Sequence, residues 1–569
     1  MTAFVEVSPL ERSFVPKDLV VDSAAVLEPL YGALLEMPVD TVDELSAWLH
    51  RWSELSRVVD EERTRRSVAS SCDTLSKDVT ERHLDFIRDI TPKVDVWESK
   101  MRLRYYESAA RSSFRKEHTQ LDRIITNQVE LFRDENVPLY VQLMEITHHY
   151  DELAGSLEVT FEGKTYTLPQ MAEFSHDPNR ERRIAANYAV FSKRHEHAET
   201  FEGFFDEMFA IRKKIAANIG LPSYREVCFR EKLRDYTPED CAVFHDAIEK
   251  TATPLLRKIR ERRRKELGLE KLSICDAVVD TKGRQPLRPF SDTGVLQKEG
   301  SALFHDIDER LGVRFDTFAK HMDIDSRKGK APGAYQATFH EQRHPFIFGN
   351  MIGLQRDLST FVHESGHAIH AVQAAAQDLI WLEDAAMEFC EVSSMTHELT
   401  LLDHLDRFYP NKEDRDRAAL EQWEDAVSIF CWVAVVDRFQ HWLYTHPNHT
   451  REQRRQEFVV LYERYMPEID WSLLPEAALE KLWHRQLHIF HVPFYYIEYA
   501  IAQLGSLQVY ANYRKDPQDA VGQLLEAQSL GGSVNAPTLF ETSGCRFDLG
   551  PELLGELMRM VEREIDALS

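Results

Sequence analysis

The chain has 569 residues, with 69 Lys plus Arg against 95 Asp plus Glu, a formal net charge of −26. A surface this acidic repels phosphate backbones and anionic lipid headgroups, so nucleic acid and membrane surfaces are not expected partners. Glycine (22) and proline (23) are scarce for the length, which disfavours a turn-rich β architecture or a disordered chain and favours helices.

The start of the chain, Met1 to Phe14, shows neither a basic opening nor an apolar core, so no leader peptide is expected. From about 40 to 155 the pattern is long, charged and helical. Leu121, Ile124, Ile125 and Val129 recur at steps of three and four and predict one packed helix face. Leu157 to Leu168 alternates around Glu162-Gly163-Lys164 and predicts a β-hairpin.

Helical signals resume and run to about residue 320. The basic stretch Arg257–Lys265 is interleaved with glutamate and reads as a solvated helix face. Gly329–Gly333 then reads as a loop, with two short strands, 334–339 and 345–348, around a polar turn. Beyond about 355 the chain reads as helical, apart from a loop at Gly531–Ser533. Its most apolar run, Val427–Val436, is too short to cross a bilayer and predicts a buried helix segment. The seven cysteines are scattered with no C-x-x-C, which suits reduced thiols in a cytoplasmic protein. The expected division is an N-terminal helical region, 1–195, carrying the hairpin near 157–168, followed by a catalytic domain, 196–569.

The chemistry concentrates at Phe361–His370, which contains His363-Glu364-Ser365-Gly366-His367, an H-E-x-x-H pattern. On a helix the two histidines lie one turn apart on one face, so both rings can meet one ion. Leu358, Phe361, Val362, Ile369 and Val372 supply a buried side, and Asp357 is placed to cap the N-terminus. Zinc suits two imidazoles plus a carboxylate with one open position, where a bound water's pKa falls from about 15.7 to about 7. Glu364 can then take the water's proton as general base. His370, one turn on, is either a supporting imidazole or an ordinary buried one.

Residue 373 is Gln, so a third histidine at the metzincin spacing is absent. A carboxylate must complete the set, and Glu383, Asp384, Glu388, Glu391 and Glu398 all remain open on spacing alone. Farther on, His488 to Tyr499 is dense in imidazoles and phenols. It reads either as aromatic core or as donors for an oxyanion. Pro493 interrupts any single helix through it.

Six segments resemble the M3 family of zinc metallopeptidases, of the oligoendopeptidase F and Pz-peptidase type and more distantly thimet oligopeptidase. They are Gly329–Tyr335, Pro345–Asn350, His363–His370, Glu388–Met395, Pro493–Tyr499, and Leu530–Ser533 with Phe547–Gly550. The resemblance implies a mainly α, two-lobed fold with small β elements and a deep substrate channel. It implies one zinc ion held by His363, His367 and Glu391. It puts Glu364, His488, Tyr496 and Tyr499 at the substrate carbonyl, with His491 as the alternative to His488. Glu498 departs from the aspartate usual in related sequences. The implied activity is hydrolysis of internal bonds in short oligopeptides. The alternatives are a peptidase needing a free terminus, such as a dipeptidyl carboxypeptidase or M32-type carboxypeptidase, and a non-enzymatic peptide-binding protein. A substrate bound in extended form needs backbone partners, and Pro345–Asn350 is the expected exposed edge. The glycine-rich loops at Gly329–Tyr335 and Gly531–Ser533 are expected either to approach the peptide closely or to serve as turns.

Overall fold

Long helices dominate the computed structural model, as the low glycine and proline content implies. The structure describes residues 8–116 and 118–568; the first seven residues of the stretch read for a leader lie outside the described residues. The elements used below are, in chain order, helix α1 (Val42–Cys72), strands β1 (Glu158–Phe161) and β2 (Lys164–Thr167), and helix α2 (Pro238–Glu266). They continue with strands β3 (Met322–Asp325), β4 (Tyr335–Phe339) and β5 (His344–Met351). Helices α3 (Gln355–Ala374), α4 (Met387–Thr400), α5 (Lys412–Thr445), α6 (Leu487–His491) and α7 (Ile497–Tyr513) complete the set.

Two compact units form, each from three separated stretches. The first takes Met1–Glu130, Leu287–Ala419 and Ala502–Phe547; the second takes Leu131–Pro286, Leu420–Ile501 and Asp548–Ser569. In the first unit α1 carries Leu45, Trp48, Leu49, Trp52 and Leu55, all fully buried, and Trp381 packs on Trp52 with ring centroids 4.1 Å apart. Thr41 and Glu44 start α1 with a reciprocal cap, each side chain bonding the other's backbone N–H. In the second unit the predicted hairpin forms in antiparallel register, Phe161 opposite Lys164. Its two turn residues, Glu162 (φ 51°) and Gly163 (φ 78°), adopt the left-handed conformations that a tight two-residue hairpin turn demands.

The basic stretch of α2 lies on a helix whose arginines meet acids: Arg264 pairs with Glu261 at 2.7 Å, and both Arg262 and Arg263 reach Glu424. The apolar run Val427–Val436 is an interior stretch of α5, with Val427, Phe430, Cys431 and Val435 fully buried. Among the described residues no helix is long and apolar enough to cross a membrane.

The sheet of the first unit corrects one expectation. Its order is β3-β5-β4, with β5 parallel to β3 and antiparallel to β4. Pro345–Asn350 therefore lies in the central strand, its backbone paired on both sides, and is not an exposed edge. The strand that demotes it, Met322–Asp325, alternates as Met-Asp-Ile-Asp but is only four residues long, too short a run to be read in advance. The edge strands are β3 and β4.

Gly531–Ser533 is also not an open loop but a 3₁₀ turn packed on its own chain. A Cβ on Gly531 would stand 2.2 Å from the Leu382 carbonyl oxygen, and one on Gly532 2.4 Å from that of Asp384. These glycines serve the close approach of two backbone segments.

Candidate metal centre

Helix α3 forms as the apolar spacing requires: Leu358, Phe361, Val362 and Ile369 are fully buried and Val372 nearly so. Asp357 sits one turn inside the helix rather than ahead of it, and its Oδ2 accepts from the N–H groups of Ile352 (2.7 Å) and Leu354 (3.0 Å). It thus satisfies donors at the helix entry from within. Helix α4 packs directly on α3. The contact is possible because residue 366 is glycine: a Cβ there would lie 2.7 Å from Ser394 Cα and 3.1 Å from the Ser393 carbonyl oxygen.

This crossing assembles three donors. His363 Nε2 and His367 Nε2 are 3.2 Å apart, and each is 3.5 Å from Glu391 Oε2. Bonds of about 2.0–2.1 Å at tetrahedral angles would set ligand atoms about 3.3–3.4 Å apart, so the triangle matches a zinc ion's requirements. The donor chemistry fits as well, two imidazoles and a carboxylate. Ser394 Oγ donates to Glu391 Oε2 at 3.1 Å and holds that oxygen in place.

The other carboxylates left open by spacing are placed elsewhere. Glu398 Oε1 is 2.7 Å from His363 Nδ1, behind the ring. It lies seven residues after Glu391, two helical turns along the same face, so the signal was present in the sequence. A carboxylate there fixes the proton on Nδ1 and leaves the Nε2 lone pair facing the triangle. Burial lowers the imidazole's proton affinity, but the Glu398 hydrogen bond together with the charges of Glu398, Glu391 and Glu364 outweighs it and raises His363 to about 9. Glu383 is bound to Arg57 (2.6 Å) and His340 (2.5 Å). Glu388 and Asp384 stand outside the donor triangle.

Glu364 is buried, and burial pushes its carboxyl upward from the usual range. The Gln336 backbone on β4 hydrogen-bonds to it, tying the edge strand to the helix of the triad. His370 is buried against Phe389, with its pKa pushed down to about 3 by burial, and Nε2 makes no hydrogen bond among the described residues. It is a neutral packed imidazole outside the triangle.

The aromatic segment lies in the second unit. Its helix is broken as Pro493 implies: α6 ends at His491, α7 starts at Ile497, and Phe494 between them has φ 62°. The break itself gathers the rings. His488 lies 4.8 Å from Tyr496 and 6.1 Å from Tyr499 between centroids, and Tyr496 lies 5.4 Å from Tyr499. Gln486 accepts from Trp432 Nε1 through Oε1 (3.2 Å) and donates from Nε2 to His488 Nδ1 (2.8 Å). That relay leaves the His488 proton on Nε2, as a donor. Burial pushes His488 down to about 4, so the ring is neutral near pH 7. His491 turns to Tyr150 and to Asp151, 3.2 Å away.

The model of peptidase family M3 matches residues 174–557, well over half of the chain. The chain belongs to peptidase family M3. Among M3 and related proteins, Group B oligopeptidase PepB of Streptococcus agalactiae serotype III (strain NEM316) is 24 % identical over 292 residues, covering 49 % of this chain and 45 % of that protein. Oligopeptidase PepF of Bacillus subtilis (strain 168) is 23 % identical over 337 residues, covering 57 % and 48 %. The chain thus spans about half the length of the curated relatives it matches. Solved structures match along nearly the whole chain. Pz peptidase A with an inhibitor superposes with TM-score 0.86 at 26 % identity, covering 95 % of this chain and 97 % of that one. Oligoendopeptidase-F from Enterococcus faecium, at 15 % identity and TM-score 0.58 over 96 % and 91 %, shares the fold.

Proposed function

We propose that this M3 chain is a cytoplasmic, zinc-dependent endopeptidase that hydrolyses internal bonds of short oligopeptides, its catalytic part lying in 196–569 and 1–195 forming a helical N-terminal region. The observation that carries the reading is the donor triangle of His363, His367 and Glu391 with Glu364 between the two histidines on the same helix. A zinc ion held there would polarise the scissile carbonyl and acidify a water at neutral pH. The chain's own residues do the rest. Glu364 takes the proton of the attacking water and returns it to the leaving amine. Glu398 and Ser394 hold His363 and Glu391 in orientation. We assign to His488, through Nε2–H, and to the phenols of Tyr496 and Tyr499 the donation of hydrogen bonds to the substrate's carbonyl oxygen as it becomes an oxyanion. The outer edge of β4 is the proposed partner for an extended peptide backbone, since β5 is central.

Glu364→Gln tests the assignment. The variant should keep its zinc and lose about 10²–10⁴-fold in turnover of a quenched internal-cleavage peptide. Wild-type turnover by that variant would remove Glu364 from the role. Cleaving the same peptide with free and amidated C-termini distinguishes an endopeptidase from a terminus-dependent enzyme: equal rates support the first.

A further inference from the structure

A second convergence of donors lies in the second unit, apart from the triad. Cys241 and His245 are one turn apart on α2, and Asp437 and His441 are one turn apart on α5. Two i,i+4 pairs from packed helices repeat the device that places His363 and His367. Cys241 Sγ, an Asp437 carboxylate oxygen and a His441 ring nitrogen all lie within 4.8 Å of one another. His245 Nε2 stands 2.9 Å from Asp437 Oδ2.

The cluster is deeply buried. Cys241 and Asp437 are 0 % exposed and His245 2 %. The Phe229 and Phe494 rings pack on His441 at 6.0 and 5.2 Å. A carboxylate buried this deeply is expensive unless charge meets it. Its ion-pair partners are imidazoles, His245 and, at 3.3 Å, His441. The arginines whose charge reaches the cluster each have an acidic partner of their own: Arg234 meets Glu498 (3.0 Å), Arg225 meets Glu226 (2.7 Å) and Arg438 meets Asp246 (3.0 Å). Asp437 Oδ1 makes no hydrogen bond among the described residues, and the 3.3 Å contact of His441 Nε2 with Asp437 Oδ2 lacks hydrogen-bond geometry.

We propose that Cys241, Asp437 and His441 form a second, structural metal site for a zinc-class divalent ion, with His245 fixing the Asp437 carboxylate from behind. A thiolate, a carboxylate and an imidazole are a borderline-soft donor set that suits zinc. One dication cancels the two anionic ligands and leaves a neutral cluster in an apolar surround. Binding replaces the S–H bond by a sulfur–metal bond and releases that proton to solvent; no oxidant or reductant takes part. The ion would clamp α2 to α5, tying together segments nearly 200 positions apart in the sequence.

Cobalt(II) reads the site selectively, because a thiolate ligand gives a near-ultraviolet charge-transfer band and the His363–His367–Glu391 triad contains no sulfur. The full chain carrying His367→Ala, with the triad disabled, is titrated with cobalt(II) after metal removal. The expected result is a thiolate band that saturates at one equivalent and is lost when Cys241→Ser is added. Bound zinc by elemental analysis should fall from two equivalents in wild type to one in His367→Ala and to none in the double variant. Should the serine variant not fold, His441→Ala replaces it, with the same loss expected. Absence of the band in His367→Ala at excess cobalt overturns the proposal, as does a band that survives Cys241→Ser. The outcome is independent of whether the triad hydrolyses peptides.

Discussion

Gly366→Ala isolates the helix crossing on which the donor triangle depends. The added Cβ would lie 2.7 Å from Ser394 Cα, 3.0 Å from His397 Cδ2 and 3.1 Å from the Ser393 carbonyl oxygen, where ordinary contact begins at 3.4 Å. Two of the three are backbone atoms and cannot rotate away. Relief requires α3 and α4 to separate by about 0.7 Å or more, which is overpacking worth about 1–3 kcal/mol of stability. Glu391 rides on α4, one turn before Ser394, so the same shift carries its carboxylate away from both histidines. The 3.5 Å donor separations would grow to about 4.2 Å, well outside the about 0.2 Å tolerance of a metal site. Zinc affinity should therefore fall by at least the ~10–100-fold that follows disturbance of a metal's supporting groups. Competition against a chromophoric chelator measures the affinity, and thermal melting measures the stability. Gly203→Ala is the control: it is also in a helix, but nothing lies within 4 Å of its added Cβ. It should leave zinc affinity unchanged and raise stability by about 0.5–1 kcal/mol. A Gly366→Ala variant with wild-type zinc affinity and melting temperature would refute the claim that this glycine sets the spacing of the donors.

Glu398→Ala should keep the three donors but cost ~10–100-fold in zinc affinity, because His363 loses its orienting acceptor; an unchanged chelator titration counts against that role. Tyr499→Phe should lower kcat by about 10²–10³-fold with little change in KM, since an oxyanion contact strengthens in the transition state. A change in KM alone contradicts the assignment. Acid stability should depend on Glu202: burial opposes its ionisation, but the hydrogen bond from His484 and the Arg454 guanidinium, 2.7 Å away at Nε, hold it down at about 2. Because the folded value lies below the ordinary 4.5, its contribution is full above about pH 4.5 and fades as pH falls toward 2. Glu202→Gln should lower the melting temperature near neutrality yet flatten its fall across that window; parallel curves for the two proteins exclude the mechanism.

Helical periodicity and local chemistry were legible without a structure. The buried side of α3, the i,i+4 histidine pair, the Glu162-Gly163 turn and the break at Pro493 each follow from spacings of a few residues, where backbone geometry leaves little choice. The carboxylates were different. Glu383, Glu391 and Glu398 all stayed open as the third donor on spacing alone, and tertiary packing separates them: Glu383 pairs with Arg57, Glu391 meets the two imidazoles His363 and His367, and Glu398 stands behind the His363 ring. The sheet shows the same limit. Pro345–Asn350 reads as a strand from its residues, but its central position depends on a parallel partner, Met322–Asp325, contributed from 20 residues upstream. The cluster of Cys241, His245, Asp437 and His441 lies at the far end of that scale. Each half is an unremarkable i,i+4 pair in sequence, and only the packing of α2 against α5 brings the halves together. Sequence alone determined the longer elements and the residue types able to do chemistry, because those depend on neighbours along the chain. The tertiary structure decided which carboxylate meets which imidazole and which strand lies at the edge of its sheet, because those depend on contacts between segments tens to hundreds of residues apart.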